Sequence, residues 1–131
     1  MTEPGAYDEA FAGCQGVFHA AAEMGNLEGS TPQKVFDGGL VATRMLMDSV
    51  VRAESVRRLV YTSSFAAVAH PADEGHLYTE ASTADMDAGR RRPESSWTLE
   101  TVSRNREVAY AMTKLESERF VYAEADRRGI A

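Results

Sequence analysis

Two short runs of apolar residues, at positions 16–22 and 58–64, dominate the hydrophobic pattern of the chain. Within each run the apolar residues follow one another instead of alternating with polar ones, which predicts strands buried on both faces, as in a parallel sheet. Both runs end in small residues, at 20–22 and 62–64. Small residues let a ligand approach the backbone at the carboxyl ends of strands, which is where open α/β sheets bind their ligands.

A helix is predicted after each of these strands. The first should extend from about residue 32 to 53, with Thr31 as its N-cap and Pro32 in its first position. The second should extend from about residue 108 to 128 and end at Gly129. The order strand, helix, strand, helix is half of a doubly wound α/β fold. The first helix has an apolar face formed by Val35, Phe36, Leu40, Met45, Leu46, Val50 and Val51.

Tyr110 and Lys114 lie four positions apart on the second predicted helix, so they share one helix face. An ammonium within roughly 4–6 Å favours the phenolate, so it lowers the pKa of a tyrosine from its ordinary value of about 10. A general acid or base that works near neutral pH needs a shift in this direction. The pair alone is typical of a solvated helix face, so its meaning depends on the segments that precede it.

Four segments occur together and in a consistent order. Residues 8–21 end in His-Ala-Ala, residues 55–64 end in Thr-Ser-Ser, residues 110–114 form Y-x-x-x-K, and Glu118 with residues 120–129 completes that helix. Together they resemble the extended short-chain dehydrogenase/reductase family, nearest its dihydroflavonol-reductase-like and NAD-dependent epimerase/dehydratase members. In that family the first two segments correspond to the fourth strand with its H-x-A pattern and the fifth strand with its serine.

The resemblance implies a role for each catalytic position. Tyr110 would donate a proton to the carbonyl during reduction, and Lys114 would lower the pKa of Tyr110 and hydrogen-bond the nicotinamide ribose. Ser64 would hold the substrate oxygen and stabilise its developing charge. Ser63 would take that role if the strand ended one residue earlier, although Ser64 is favoured.

The resemblance also implies a nicotinamide cofactor, either NADP or NAD. Ala20 and Ala21 would line its adenosine side, where a larger side chain would block it. Thr62 would contact the cofactor or the strand end through its backbone, and Tyr110 and Lys114 would complete the cofactor site. The sequence does not choose between NAD and NADP, because the family's specificity residue follows the second strand, which matches no part of this chain.

The resemblance covers nearly all of the chain but only the middle of the family's fold. The Gly-rich turn G-x-x-G-x-x-G, whose helix N-terminus receives the pyrophosphate, does not occur, and residues 129–131 stop where the sixth strand should start. We therefore expect residues 1–131 to form a partial NAD(P)-binding, Rossmann-like doubly wound parallel sheet that lacks the N-terminal Gly-rich portion and the C-terminal substrate portion. Such a piece would leave sheet edges and an apolar face exposed.

The segment between Ser64 and Tyr110 is longer than usual for the family and has the composition of a loop. In the family this region approaches the substrate, so Ala69, His70 and Trp97 could line a pocket. A solvated insertion is the favoured interpretation.

Composition argues against several other functions. A net charge of −6 disfavours a broad nucleic-acid surface, in spite of the three arginines at 90–92. His19 lies among apolar residues and is predicted to be a satisfied structural histidine, and the single Cys14 makes neither a zinc site nor an internal disulfide. One cysteine suits a reducing cytoplasm, and there is no signal peptide or apolar run of membrane length. We expect a cytoplasmic protein that binds neither nucleic acid nor membrane.

These observations predict an NAD(P)H-dependent oxidoreductase that reduces a ketone or aldehyde, with a small-molecule substrate and a possible homodimer through the helix that bears Tyr110. The alternative within the fold is a nucleotide-sugar epimerase or dehydratase. Dehydratases usually add an acidic residue near the serine, and residues 65–68 contain none, which favours the reductase. A further alternative is a catalytically inactive truncated product that acts at most as an interaction module, and the 131-residue chain alone is expected to be inactive.

Overall fold

Two parallel strands form the sheet in the part of the chain that the structure describes. The computed structural model describes residues 1–22, 29–67 and 106–131. Strand β1 (Gly16–His19) pairs in parallel with strand β2 (Arg58–Tyr61), and His19 lies opposite Tyr61 in the register. Both strands occur where they are predicted, but each ends three residues early, so that the small residues at 20–22 and 62–64 lie beyond the ladder.

Within the described ranges three α-helices accompany the strands: α1 (Asp8–Phe11), α2 (Pro32–Arg52) and α3 (Arg106–Arg128). A 3₁₀ turn (Phe65–Ala67) follows β2. The two long helices agree with their predicted bounds to within one or two residues. Among the helices that the structure describes, none is long and apolar enough to cross a membrane.

The ends of the long helices follow the predicted local signals. Thr31 caps α2, since its side-chain oxygen accepts a hydrogen bond of 3.3 Å from the backbone N–H of Lys34. Helix α3 ends at Gly129, whose φ of 65° lies in the left-handed region that glycine adopts without strain. The N–H of Ile130 then donates to the carbonyl of Ala125 at 3.0 Å, which satisfies one of the last helical carbonyls.

The hydrophobic core lies on one face of the sheet only. Val17 packs there with Leu46 and Val50 of α2. On the opposite face Phe18 is 82% exposed and its register partner Val60 is 48% exposed. The prediction that both strands are buried on both faces is therefore wrong for the part of the chain that the structure describes. The prediction of an exposed apolar face is confirmed.

Helices α2 and α3 approach each other closely at Gly39. A Cβ atom at this position would overlap Cγ2 of Thr113 on α3. One turn further along, the buried hydroxyls of Thr43 and Ser117 form a hydrogen bond of 2.9 Å across the two helices. This close contact fixes the position of α3 against α2, and it thereby determines where the next side chains of α3 lie.

Ala131 pairs with β2 on the edge opposite to β1. Its N–H donates to the carbonyl of Arg57 and its carbonyl accepts from the N–H of Leu59, both at 2.9 Å. Strand β2 is therefore flanked by β1 on one side and by Ala131, in a parallel pattern of hydrogen bonds, on the other.

Candidate active site

A cleft opens where the carboxyl ends of β1 and β2 meet helix α3. The end of β1 contributes His19, Ala21 and Ala22, β2 contributes Tyr61, and α3 contributes Tyr110 and Lys114. The carboxyl ends of parallel strands are the position at which α/β sheets bind their ligands. The structure therefore brings the tyrosine and the lysine of the Y-x-x-x-K motif to the sheet edge at which they are expected.

Lys114 is the best-defined side chain of this cleft. The residue is only 5% exposed, and its Nζ atom donates a hydrogen bond of 3.2 Å to the carbonyl oxygen of Thr62. The same Nζ atom lies 5.5 Å from the ring centroid of Tyr61 and 6.0 Å from that of Tyr110. A buried ammonium needs such partners, because an isolated charge would be costly to remove from water. Lys114 is thus held in place by β2 as well as by its own helix.

The neighbours of Lys114 on α3 explain how the side chain reaches the sheet. Thr113 and Ser117, which meet Gly39 and Thr43 of α2, are small and buried, and so is Ala109 one turn earlier. The hydroxyl of Thr113 donates to the carbonyl of Ala109 within the helix at 2.7 Å. Because no bulky side chain separates the two helices here, the longer side chain of Lys114 extends past the contact to the end of β2.

The two serines after β2 differ in their surroundings. The side-chain oxygen of Ser64 accepts a hydrogen bond of 3.2 Å from the N–H of Ala66, and its carbonyl accepts one of 2.9 Å from the N–H of Ala67. Ser64 therefore begins the 3₁₀ turn that contacts α3. The hydroxyl of Ser63 is buried and has no hydrogen-bond partner among the described residues. Since β2 ends at Tyr61, the alternative of Ser63 stays open.

The predicted cofactor positions are only partly brought together. Ala21 lines the same cleft as Tyr110 and Lys114, whereas Ala20 is exposed beside it. Thr62 contributes its backbone to the end of β1 and to Lys114. Its N–H donates to the carbonyl of His19 at 2.9 Å and its carbonyl accepts from Lys114.

His19 and Tyr61 belong to the cleft although the sequence did not indicate either as a site residue. Their rings stack, with centroids 5.5 Å apart and planes 2° from parallel. Burial lowers the pKa of His19, and the nearby Lys114 ammonium lowers the pKa further. Among the described residues neither ring nitrogen of His19 has a hydrogen-bond partner, so the prediction of a satisfied histidine is wrong for this part of the chain.

Several predicted positions lie outside the described residues. These are Ala69, His70 and Trp97, which could line a pocket, and the arginines at 90–92. Within residues 1–22, 29–67 and 106–131, no group of three His, Cys, Asp or Glu side chains is placed to hold a metal ion.

A parallel sheet with helices packed against it and a buried lysine at its carboxyl edge defines a Rossmann-like α/β protein. Comparison with known proteins agrees with this class. A dihydroflavonol 4-reductase of Medicago sativa is 33% identical over 98 residues, which are 74% of this chain and 45% of that protein. One from Solanum lycopersicum is 30% identical over 127 residues, which are 96% of this chain and 30% of that protein.

A solved structure named SsCR_L211H has the same fold. The two superpose with a TM-score of 0.74 at 22% sequence identity. The match covers 97% of this chain and 37% of the chain of that structure. No family model matches the chain. The chain belongs to the extended short-chain dehydrogenase/reductase family. A third dihydroflavonol 4-reductase, from Gerbera hybrida, is also similar to this chain. The chain spans 26% to 45% of the length of these three relatives.

Proposed function

We propose that this chain carries the proton-transfer site of an NAD(P)H-dependent reductase that converts a ketone or aldehyde into an alcohol. The observation that carries the proposal is the buried Lys114, whose ammonium is held on the Thr62 carbonyl and lies 6.0 Å from the ring centroid of Tyr110. In this proposal the Lys114 ammonium lies beside the Tyr110 ring and assists proton transfer by the Tyr110 hydroxyl. The names of the curated relatives, which are reductases, support the same reaction class.

In this proposal Tyr110 donates its proton to the oxygen of the substrate carbonyl, and in alcohol oxidation it takes the proton back. Ser64 holds that oxygen and stabilises the negative charge that develops on it. Ser63 is the alternative, since its hydroxyl is buried without a partner among the described residues, whereas the Ser64 oxygen already accepts from Ala66.

The cleft has features that fit a nicotinamide cofactor, NADP or NAD. The ammonium of Lys114 carries three N–H groups and the carbonyl of Thr62 accepts one of them, so two remain for ribose hydroxyls. Ala20, Ala21 and Thr62 are the further residues that would hold the cofactor, and the alanines present no bulk to it. The cofactor would supply the hydride for the carbonyl carbon, while Tyr110 supplies the proton for the oxygen.

The epimerase or dehydratase alternative is less favoured. The 3₁₀ turn that follows the serines consists of Phe65, Ala66 and Ala67, so it presents no carboxylic acid of the kind that dehydratases add.

The alternative of an inactive chain is favoured by a different observation, the exposed pair Phe18 and Val60 on the uncovered sheet face. An exposed apolar surface of this type is typical of a contact with another segment or protein. The partial domain at 1–131 and the homodimer through α3 stay predictions.

Calorimetric titration of the 131-residue chain with NADPH and NADH tests the proposal. We expect saturable binding of one of them, because Lys114 is already held in its binding position without the cofactor. A Tyr110→Phe, Lys114→Ala double variant should bind at least about tenfold more weakly, which corresponds to about 1.4 kcal/mol.

The matched control is a Tyr122→Phe, Lys34→Ala variant, which changes the same residue types at exposed positions. Its affinity should equal that of the original chain. If circular dichroism shows a folded chain but neither cofactor produces heat, or if both double variants bind equally well, the proposal is wrong for this chain.

A further inference from the structure

His19 occupies an unusual place for an ionisable side chain. It is the last residue of β1 and is 7% exposed. Its ring stacks on Tyr61, and the ring of Tyr7 meets it edge to face with centroids 6.0 Å apart. Tyr61 also lies 5.5 Å from the Nζ atom of Lys114. Tyr61 is therefore in contact with the buried histidine and with the lysine of the site.

The surroundings of His19 suit a neutral imidazole and oppose an imidazolium. Neither ring nitrogen has a hydrogen-bond partner among the described residues, and a buried charge without a partner is far more costly than a buried neutral group. The titratable groups that surround the ring are the phenols of Tyr7, Tyr61 and Tyr110, the ammonium of Lys114 and the α-amino group of Met1.

Among the described residues, only the backbone of His19 itself favours a positive charge on the ring, and both burial and the Lys114 ammonium oppose that charge more strongly. Helix α2 contributes Gly39, Ala42 and Thr43 to the cleft, and none of these titrates. The residues of the described ranges that line the cleft include no carboxylate. A proton on His19 would therefore place a second positive charge near Lys114 with no described carboxylate to balance it.

We propose that His19 is a positioning residue: its neutral ring supports Tyr61 and so keeps Lys114 on the Thr62 carbonyl, and protonation of His19 releases Lys114 in mildly acidic solution. The consequence for cofactor binding and reduction rests on the proposed function, whereas the effect on Lys114 does not. His19 acts through Tyr61 and touches no reacting atom.

The direction of the pH effect follows from linkage. Burial and the Lys114 ammonium lower the pKa of His19 in the folded chain below its ordinary value of 6.5. The unfolded chain then binds more protons between the two pKa values, so the free energy of unfolding falls as the pH drops below about 6.5 towards the lowered value. Above that range the neutral histidine leaves the stability unchanged.

The chain offers a direct readout because it contains only two lysines, the exposed Lys34 and the buried Lys114. Reductive methylation followed by mass spectrometry gives the labelling rate of each, and their ratio removes the effect of pH on the reagent. Near pH 7.5 we expect Lys114 to react at least about tenfold more slowly than Lys34, and at an acidic pH below the lowered pKa of His19 we expect the ratio of the two rates to approach one. A His19→Phe variant keeps the ring stack but cannot titrate, so it should protect Lys114 at both pH values.

If the protection of Lys114 from methylation in the original chain does not change with pH, the proposal is wrong. It is also wrong if the His19→Phe variant loses as much of this protection at acidic pH as the original chain does. If that variant does not fold, His19→Gln serves as the neutral replacement and is judged by the same criterion. Titration with NADPH at both pH values separates the two proposals. A chain that shows the labelling pattern but binds no cofactor at pH 7.5 supports the positioning role of His19 and contradicts the reductase.

Discussion

Replacing Tyr110 with phenylalanine should lower kcat for carbonyl reduction by the natural gene product about 10²–10⁴-fold, which is the usual contribution of a general acid. The variant keeps the aromatic ring that lies 6.0 Å from the Lys114 Nζ atom and removes only the hydroxyl that carries the proton. The packing of α3 against α2 should be retained, because phenylalanine keeps the ring that packs against the cluster of Val35, Phe36 and Ala109. The loss should therefore appear in kcat, with little change in the KM for the cofactor.

Tyr122→Phe is the matched control for this substitution. Tyr122 lies on the same helix and is 66% exposed, away from the cleft. Steady-state rates with a series of ketones and aldehydes would be compared for the three proteins. A Tyr110→Phe enzyme as fast as Tyr122→Phe would show that another group supplies the proton, and the proposed role of Tyr110 would be abandoned.

Substituting Gly39 with alanine should destabilise the folded chain by about 1–3 kcal/mol, the usual range for an overpacked core position. The new Cβ atom would overlap Cγ2 of Thr113 at the place where α2 and α3 are closest. Alanine is favoured over glycine within a helix by about 1 kcal/mol. The higher helix propensity of alanine offsets part of the stability lost through overlap with Thr113. A net destabilisation would therefore show that the overlap costs more than the higher propensity contributes. Urea unfolding followed by circular dichroism gives the free energy of unfolding.

Thr113→Ser provides the specific rescue. It removes the methyl group that the new Cβ would overlap and keeps the hydroxyl that donates to Ala109 at 2.7 Å. The double variant should recover most of the stability lost in Gly39→Ala. An equal loss in the single and double variants would mean that the helices are not held at this distance by Gly39 and Thr113.

The sequence predicts the helices better than the strands. Thr31 and Gly129 act through bonds to residues a few positions away, so the ends of α2 and α3 can be recognised locally. The ends of the strands depend on where pairing between distant segments stops, and both were placed three residues too late. The exposure of Phe18 follows from which sheet face the helices cover, which an unbroken apolar run does not reveal.

In the site, too, the features that depend on residues close in sequence could be predicted, and those that depend on distant residues could not. The spacing of Tyr110 and Lys114 predicts their common helix face correctly, since i and i+4 positions always share one. The sequence did not indicate that His19 meets Tyr61, because this contact depends on the register of two strands whose residues are far apart in the chain. The choice between Ser63 and Ser64 likewise depends on the shape of the turn after β2.

The pairing of Ala131 with β2 makes the backbone amide of Leu59 a probe of the site. This amide donates to the carbonyl of Ala131, and its strand ends at Tyr61, directly before Thr62, whose carbonyl accepts from Lys114. Deuterium uptake at Leu59 should be slow while Ala131 is docked and should accelerate whenever residues 129–131 detach. Comparing its exchange rate with and without NADPH would show whether the docking of residues 129–131 and the binding of cofactor at Lys114 are coupled or independent.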